Sequence, residues 1–318
     1  MRENNKAVYI SDNLAKVAGI SFRFSTTDYS LSTNDSSVAL LKPKRFLQYY
    51  EYLIFEHNVK NVVEFGIFEG GIGVFLTSLK KDLRYLGFDI SSPVVGLQNF
   101  LNCHGDIGQR VITHFNVGQN DSRVPKLIDD FLEGEQLDLI IDDASHQYFE
   151  TQKAFELSFP ILKEGGCYVI EDWGWLHWGG YEIPVHWKHS QALTKLVFKL
   201  VMLCASNPEI IAEINIFPNM VIIKKGKQKI SGDFGLECYI RRDIISINET
   251  MLSEPDELIK DLNAKLDGTQ LLLQCHKAEL DTIYGSRSWK ITKPLRLTRR
   301  AFSVFNLMIR RFTSAREG

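Results

Sequence analysis

Ionisable side chains follow directly on two apolar runs of the chain. The runs are residues 137–141 and 166–170, and the side chains after them are Asp142, Asp143, His146, Glu171 and Asp172. Short apolar runs that end abruptly are typical of buried parallel strands, whose carboxyl ends meet at one edge of a sheet. Carboxylates are oxygen ligands that suit Mg²⁺, and an imidazole can accept a proton near neutral pH. If the two strands are neighbours, this edge has the groups for metal-assisted removal of a proton from a hydroxyl.

Two other interpretations of these carboxylates stay open at the level of sequence. Acidic pairs at strand ends also cap helices or lie in solvent, and for one pair alone that is the more common situation. Two pairs, with His146 beside one of them, favour a site. A non-haem iron centre fits less well, because it uses two histidines and one carboxylate and only His146 lies within these motifs.

A glycine-rich turn lies upstream, between a predicted strand and a predicted helix. The strand covers residues 61–65, the helix covers 74–81, and the turn contains Gly66, Gly70 and Gly71. Glycines let a backbone approach a ligand closely, and the N–H groups at a helix start point towards it. The spacing is neither that of a P-loop nor GxGxxG, so the turn alone is a weak signal of a cofactor site.

Asp89 strengthens the prediction of a cofactor site. It ends the next predicted strand, residues 84–88. An acidic side chain about 20 residues past a glycine turn is placed to accept hydrogen bonds from ribose hydroxyls. The alternative is a helix N-cap or a turn residue, and the glycine turn upstream favours the ribose role.

The order of the predicted elements indicates the fold class. Strands and helices alternate through five strands, and the series closes with a hairpin of residues 210–217 and 220–224. This order predicts an α/β fold with a mostly parallel sheet and helices on both faces. The predicted elements include a helix over 148–162 and a turn at Gly165 and Gly166 that leads into the fifth strand. Residues 1–41 are polar, and we expect a loosely held arm or cap with one strand at Ile20–Phe24.

Five stretches together resemble one enzyme family. They are Glu64-x-Gly66-x-x-x-Gly70-Gly71, Asp89, Gln119-Asn120-Asp121, Asp142–His146 and Tyr168–Asp172. The combination resembles the metal-dependent sugar O-methyltransferases that tailor macrolide antibiotics, and a related group labelled cephalosporin hydroxylases shares it. The resemblance covers residues 42–226, which we assign to one domain. The sequence departs from the family's pattern at Gly118, where an aspartate is usual, and at Ile72, where a small polar residue is common.

The resemblance implies a class I S-adenosylmethionine-dependent methyltransferase. Such an enzyme has a Rossmann-like, seven-stranded sheet whose last strand is antiparallel, and the resemblance implies S-adenosylmethionine and Mg²⁺ as cofactors. The residues implied for the cofactor are Glu64, Gly66, Gly70, Gly71, Asp89, Gln119 and Asp142, the last of these towards the methionine ammonium. The implied metal ligands are Asp143, Glu171 and Asp172. His146 would be the general base.

Aromatic side chains are dense in the segment after Glu171 and Asp172. The residues of this segment that we expect to contact the acceptor are Trp173, His177, Trp178 and Tyr181. Aromatic faces stack on the apolar faces of sugar rings, so the segment is interpreted as a lid over a carbohydrate. The alternative is a loop packed against the sheet edge or against a second subunit.

Composition excludes several classes of protein. The net charge of −2 gives no basis for nucleic-acid binding, and no run approaches the ~18 apolar residues of a membrane span. The five cysteines are scattered and never in CxxC spacing, which argues against a zinc site or a disulfide framework. The first residues have no apolar core of a signal peptide. We therefore expect a cytoplasmic protein.

The C-terminal part of the sequence has a different composition. After a connector, residues 227–253, residues 254–285 place leucines and isoleucines at heptad spacing, which predicts a helical extension that pairs with another chain. Residues 286–318 begin with Ser286-Arg287-Ser288-Trp289, which resembles a tail of many bacterial enzymes of surface-polysaccharide assembly. The rest is basic and amphipathic. It predicts peripheral contact with the inner face of the membrane, or else a basic face packed on its own domain.

These observations lead to one favoured function and two alternatives. The favoured function is S-adenosylmethionine- and Mg²⁺-dependent O-methylation of a sugar hydroxyl in bacterial surface polysaccharide or glycolipid synthesis, with an acceptor that is lipid-linked if the tail contacts a membrane. The first alternative is a lapsed methyltransferase that serves as a scaffold in a glycan-assembly complex. The second is a tailoring enzyme like the cephalosporin hydroxylases.

Overall fold

The computed structural model describes residues 5–179, 191–230 and 234–240, together with Lys277. Within these residues a seven-stranded sheet forms the centre of the fold, and a separate four-stranded sheet precedes it. The strands of the small sheet are β1 (Val8–Tyr9), β2 (Leu14–Val17), β3 (Ile20–Phe24) and β4 (Ser37–Leu40). The strands of the central sheet are β5 (Asn61–Phe65), β6 (Arg84–Asp89), β7 (Val111–Phe115), β8 (Leu137–Asp142), β9 (Leu162–Glu171), β10 (Ile211–Phe217) and β11 (Met220–Lys225).

The central sheet confirms the predicted fold class. Its strand order is β10-β11-β9-β8-β5-β6-β7, and only β11 runs antiparallel to its neighbours. The chain leaves β5 towards β6 and later returns to its other side with β8, so the strand order reverses between β5 and β8. In an open α/β sheet the crevice at such a reversal, outside the carboxyl ends of the strands, is the usual ligand site. The glycine turn and Asp142 both lie at this crevice.

Helices cover both faces of the central sheet. They are α1 (Lys44–Glu56), α2 (Gly71–Leu79), α3 (Val95–Cys103), α4 (Gly105–Gly108), α5 (Val124–Leu132), α6 (Tyr148–Ser158), α7 (Leu193–Ser206) and α8 (Leu236–Tyr239). The core divides accordingly into two apolar clusters, one containing α1 and α2 and the other α5, α6 and α7. Every residue of α2 is buried, which fixes the glycine turn that precedes it.

Three predicted elements differ in their bounds. The helix predicted over 148–162 ends at Ser158, because Pro160 lies in the short 3-10 turn that follows and has no backbone N–H to continue an α-helix. The fifth strand begins at Leu162, not after Gly166, because both glycines lie inside β9 at an irregularity in its pairing with β8. Helix α2 begins at Gly71, three residues before the predicted start.

The N-terminal residues are not a loosely held arm. The predicted strand at Ile20–Phe24 is present, but it belongs to a four-stranded sheet whose inward side chains join the core that also contains α1 and α2. The backbone of β4 is so close to α2 that a Cβ on Gly71 would lie 2.2 Å from the carbonyl oxygen of Ala39. The prediction was wrong because short strands separated by polar turns resemble a loop until their partners are known.

Contacts divide the chain into two units, Met1–Arg241 and Arg242–Gly318. The predicted helix over 254–285 and the basic tail over 286–318 lie outside the described residues, apart from Lys277. Among the helices that the structure describes, none has the length and apolar character needed to cross a bilayer.

Candidate active site at the carboxyl edge of the sheet

A cavity of about 680 Å³ opens at the carboxyl edge of the central sheet. One wall comes from the strand ends and the loops that follow β5, β6, β7, β8 and β9, and the opposite wall comes from the N-terminal sheet and the start of α1. Its lining includes Gly66, Asp89, Gln119, Asp143, His146, Glu171, Asp172 and Trp178 from the predicted site. It also includes Thr26, Thr27, Tyr29 and Arg45, and Asn219, whose carbonyl accepts the backbone N–H of Asp172 at 2.8 Å. The cavity is therefore large enough for two small ligands side by side and polar at its floor.

Gly66 lets the chain pass tightly between β5 and β8. Its φ is +82°, and a Cβ there would lie 2.2 Å from the carbonyl oxygen of Asp143 and 2.7 Å from Cα of Ala144. The Asp143 backbone N–H donates to the carbonyl of Phe65 at 2.9 Å. The glycine turn and the acidic segment after β8 are thus one packed unit, and only a glycine fits between them.

Asp89 holds the glycine turn in shape from the neighbouring strand. Its Oδ2 accepts the backbone N–H groups of Ile67 at 3.0 Å and Phe68 at 3.3 Å, and its Oδ1 accepts that of Ser91 at 2.8 Å. Gly70 adopts a left-handed conformation at the N-cap of α2. Because each carboxylate oxygen has more than one lone pair, Asp89 keeps acceptor capacity on the cavity side.

Asp142 lies below the cavity and not on its wall. It is 2% exposed, accepts the Tyr168 hydroxyl at 2.7 Å, and accepts the side-chain amide of Gln119 at 3.1 Å. Gln119 in turn accepts the backbone N–H of Ser145 at 2.9 Å. The expectation that Asp142 faces the methionine ammonium therefore does not fit this geometry, because Tyr168 and Gln119 already surround its carboxylate.

Burial, and then the nearby charge of Asp143, raise the pKa of Asp142 to about 7. A carboxyl group whose pKa is higher in the folded state stabilises the fold at low pH, and this stabilisation is lost as the pH rises towards 7. We expect metal-free Asp142→Asn to lose less stability than the wild type between pH 5.5 and 7.5, by about 2 kcal/mol. Thermal unfolding at the two pH values measures this. Asp35→Asn, at an exposed loop position, is the control, and equal pH dependence in Asp142→Asn and wild type would contradict the prediction.

Asp143, His146 and Asp172 form a cluster that can hold a metal ion. Each offers one ligand atom, and these atoms lie within 4.8 Å of one another. Nε2 of His146 is 3.8 Å from Oδ1 of Asp143. His146 and Asp172 both have left-handed backbones, with φ of +53° and +49°. Backbone strain of this kind is concentrated at functional sites, where surrounding structure holds it in place.

Glu171, which the sequence predicted as a metal ligand, lines the same cavity but is not part of this cluster, and its Oε1 is taken by other partners. It is 1% exposed, and Oε1 accepts the Lys42 ammonium at 2.7 Å and the hydroxyl of Tyr50. Burial, followed by the charge of Asp143, raises the pKa of Glu171 to about 8. Burial and then Asp143 also raise the pKa of Asp172. The site thus holds more negative charge than its surroundings stabilise, and a divalent cation would relieve the excess.

Three buried tyrosines donate hydrogen bonds to buried carboxylates, and these bonds were not predicted from the sequence. Tyr50 and Tyr168 donate to Glu171 and Asp142 as described, and Tyr85 donates to Glu64. Burial raises the pKa of Glu64 to about 7, although Lys42 and Tyr85 partly oppose the shift. The signal was present in the sequence, because a tyrosine in an apolar strand or helix face needs a partner for its hydroxyl.

Among the described residues of the aromatic segment after β9, those predicted to contact the acceptor lie in different places. Trp178 lines the cavity, and the Trp175 indole N–H donates to the backbone carbonyl of His146 at 3.1 Å. Trp173 donates to the carbonyl of Phe217 at 2.7 Å and does not line the cavity, because it packs towards the hairpin β10–β11. A ring nitrogen of His177 lies 2.7 Å from the Thr194 hydroxyl, outside the cavity lining. Tyr181 lies outside the described residues.

The donor set fits a hard divalent cation. Two carboxylates and an imidazole converge, Glu171 lines the same cavity, and the excess of buried carboxylates requires positive charge. The glycine turn at Gly66 and Asp89 line the cavity and fit a nucleoside ligand through backbone access and acceptor geometry. A cofactor and a metal would therefore meet near Asp143, which belongs to both halves of the cavity.

The sequence comparison found one curated relative. A stretch of 47 residues is 47% identical to L-olivosyl-oleandolide 3-O-methyltransferase from Streptomyces antibioticus, and this stretch is 15% of the chain and 12% of that enzyme. The match thus spans only a small part of the relative's length. No protein-family profile matches the chain.

The solved structures that are similar to the chain include methyltransferases. The MycE methyltransferase of the mycinamycin pathway, solved with Mg, SAH and mycinamycin VI, is 23% identical, with a TM-score of 0.41 over 56% of this chain and 48% of MycE. A putative caffeoyl-CoA O-methyltransferase from Staphylococcus aureus is 20% identical, with a TM-score of 0.44 over 59% of this chain and 86% of the other. The order and direction of the strands, and not these scores, define the fold class here.

Proposed function

We propose that the chain is an S-adenosylmethionine- and divalent-metal-dependent O-methyltransferase that acts on a sugar hydroxyl. The observation that carries the proposal is the meeting of two sites at one edge of the sheet. The glycine turn with Asp89 would suit a nucleoside, and the carboxylates of Asp143 and Asp172, with His146 beside them, would suit a cation and a base. Gly66 packs against Asp143, so the two sites are in direct contact.

The cofactor half would bind S-adenosylmethionine through the residues that shape the turn. Asp89 would accept the ribose hydroxyls, and Gly66 and Gly70 would allow the backbone to approach the methionine part. Gln119 lines the cavity and is fixed by Asp142 and Ser145, so it would present a rigid surface to the adenosine. Asp142 would act indirectly, by holding Gln119.

His146 would remove the proton of the acceptor hydroxyl. S-adenosylmethionine would supply the methyl group to the hydroxyl oxygen and leave as S-adenosylhomocysteine, and Nε2 of His146 would accept the hydroxyl proton. Asp143 is 3.8 Å from this nitrogen and would stabilise the imidazolium. Trp175 fixes the loop by its hydrogen bond to the His146 carbonyl. A divalent cation held by Asp143, Asp172 and Glu171 would supply the Lewis acidity that makes a sugar hydroxyl more acidic.

The acceptor would enter from the side of the N-terminal sheet. Thr26, Thr27 and Tyr29 line the cavity there, with Trp178 and Asn219 nearby. A wall of hydroxyl groups with an aromatic ring suits a sugar, which offers many hydroxyls and apolar ring faces. The 47% sequence identity to the related macrolide sugar methyltransferase over 47 residues also supports a sugar acceptor.

The biological setting is a further part of the proposal and rests on the sequence of residues 254–318 alone. The polysaccharide-assembly tail favours bacterial surface polysaccharide or glycolipid synthesis, with a lipid-linked acceptor. The basic stretch over 286–318 would contact the inner membrane face, and the heptads over 254–285 would mediate self-association.

Titration calorimetry with S-adenosylhomocysteine tests the cofactor half. We expect binding in the micromolar range, weakened about tenfold or more in Asp89→Asn, because the ribose would lose a charged acceptor. Asp35→Asn is again the surface control. The absence of binding to the wild-type protein would exclude the proposed function.

Methyl transfer to a panel of hexosides tests the metal half. We expect EDTA to abolish transfer of radiolabelled methyl and added Mg²⁺ to restore it, because a sugar hydroxyl is too weak an acid for an imidazole alone. Full activity in the presence of EDTA would contradict the metal-dependent mechanism.

A further inference from the structure

Lys42 lies at the centre of the carboxylates of the site. It follows β4 of the N-terminal sheet, and it is 5% exposed. Its Nζ is 2.6 Å from Oδ2 of Asp143, 2.7 Å from Oε1 of Glu171 and 3.9 Å from Oε1 of Glu64. One ammonium thus connects three carboxylates: Glu64 in β5, Asp143 after β8 and Glu171 at the end of β9.

Lys42 engages one oxygen of each of its two close partners. In Asp143 the ammonium donates to Oδ2, whereas Oδ1 lies 3.8 Å from Nε2 of His146. In Glu171 both described donors, Lys42 and Tyr50, go to Oε1. Each carboxylate therefore keeps its second oxygen, and in Asp143 that oxygen faces the cluster that can hold a cation.

We propose that Lys42 is a positioning residue for the metal site: it binds Oδ2 of Asp143 and Oε1 of Glu171, and so fixes the Asp143 carboxylate with its Oδ1 towards the metal. The inference rests on the proposed function, since it concerns the cation of that reaction. Partners that hydrogen-bond to ligating carboxylates orient the ligands and commonly change metal affinity 10–100-fold when removed. Lys42 has three donors and can hold both carboxylates at once.

The charge of the Lys42 ammonium should act on metal affinity in the opposite direction to its positioning of the ligands, and this difference gives the proposal a sharp test. A positive charge a few ångströms from a metal ion repels it, so a lysine that did no positioning would weaken metal binding, and its removal would strengthen it. The sign of the change in metal affinity therefore distinguishes positioning from simple repulsion.

The experiment measures Mn²⁺ binding by the full chain, using the electron paramagnetic resonance signal of free Mn²⁺ and titration calorimetry. Lys42→Met keeps most of the side-chain length and removes the charge and the donors, and we expect its Kd for Mn²⁺ to rise about 10–100-fold. Lys44→Met is the matched control. Lys44 lies two residues on and pairs with Asp12 at 3.4 Å on the surface, so its Kd should change less than twofold.

The outcomes separate this inference from the proposed function. If the wild-type protein binds no Mn²⁺, the proposed function fails. If the wild type binds and Lys42→Met binds within fivefold or more tightly, the proposed function stands and the positioning role is overturned. If Lys42→Met does not fold by circular dichroism, Lys42→Gln is measured by the same criterion. If neither variant folds, Lys42 is a structural residue and the proposal is overturned.

Discussion

Replacing His146 with asparagine should lower kcat for methyl transfer by about 10²–10⁴-fold, the range found when a general base is removed. The imidazole is the group at the cavity that is placed to take the acceptor proton, with Asp143 beside it at 3.8 Å. Asparagine is the right replacement because φ at this position is +53°, a conformation that asparagine adopts more readily than alanine. A loss of rate then reflects the missing base and not a displaced loop.

Two binding measurements distinguish the loss of a general base from the loss of cofactor or metal binding. We expect His146→Asn to bind S-adenosylhomocysteine and Mn²⁺ as the wild type does. A parallel loss of Mn²⁺ affinity would instead make His146 a metal ligand, which the clustering with Asp143 and Asp172 also allows. His57→Asn, at the C-cap of α1, serves as the histidine control. Wild-type turnover in His146→Asn would exclude the proposed base.

Gly66→Ala should destabilise the protein by about 2–5 kcal/mol and abolish Mn²⁺ binding. Its Cβ would lie 2.2 Å from the backbone oxygen of Asp143, and neither the strand end nor the segment after β8 can move without displacing Asp143 itself. The expected fall in melting temperature is ~2–4 °C per kcal/mol. Thermal unfolding and Mn²⁺ titration of the surviving folded protein measure the two effects.

Gly134→Ala separates the two causes of this destabilisation. Gly134 has φ of +90°, similar to Gly66, but a Cβ there would meet nothing within 4 Å. Its substitution therefore reports the conformational cost alone, about 1 kcal/mol. If Gly66→Ala costs no more than Gly134→Ala and keeps Mn²⁺ affinity, the packing of the glycine turn against Asp143 is not what organises the site.

The parts of the site that the sequence predicted are local. Apolar runs ending in acidic residues mark strand ends, and parallel strands bring their ends together, so Asp143, His146 and Asp172 meet without further information. The seven-stranded fold follows from the alternation of strands and helices in the same way.

The parts that the sequence did not predict depend on distant pairings. Lys42 contacts Asp143 and Glu171 across 101 and 129 residues, and no spacing rule connects positions so far apart. The orientation of Oε1 of Glu171 towards Lys42, and the burial of Asp142 under Tyr168 and Gln119, depend on the same kind of contact. Sequence patterns indicate which groups reach an edge of a sheet, but not which way a carboxylate turns when a buried cation or tyrosine competes for it.

The distance along the chain between Lys42 and Glu171 also affects how the protein folds while it is synthesised on the ribosome. At ~5–20 residues per second, the 129 positions that separate them take about 6–26 seconds to make. During that interval the N-terminal sheet exists without the strand that carries the lysine's carboxylate partner. The ammonium must stay in water until the strands that carry its carboxylate partners arrive, β9 last of all, since an unpaired charge is costly to bury. The N-terminal sheet therefore reaches its final packing late in translation, although it is made first.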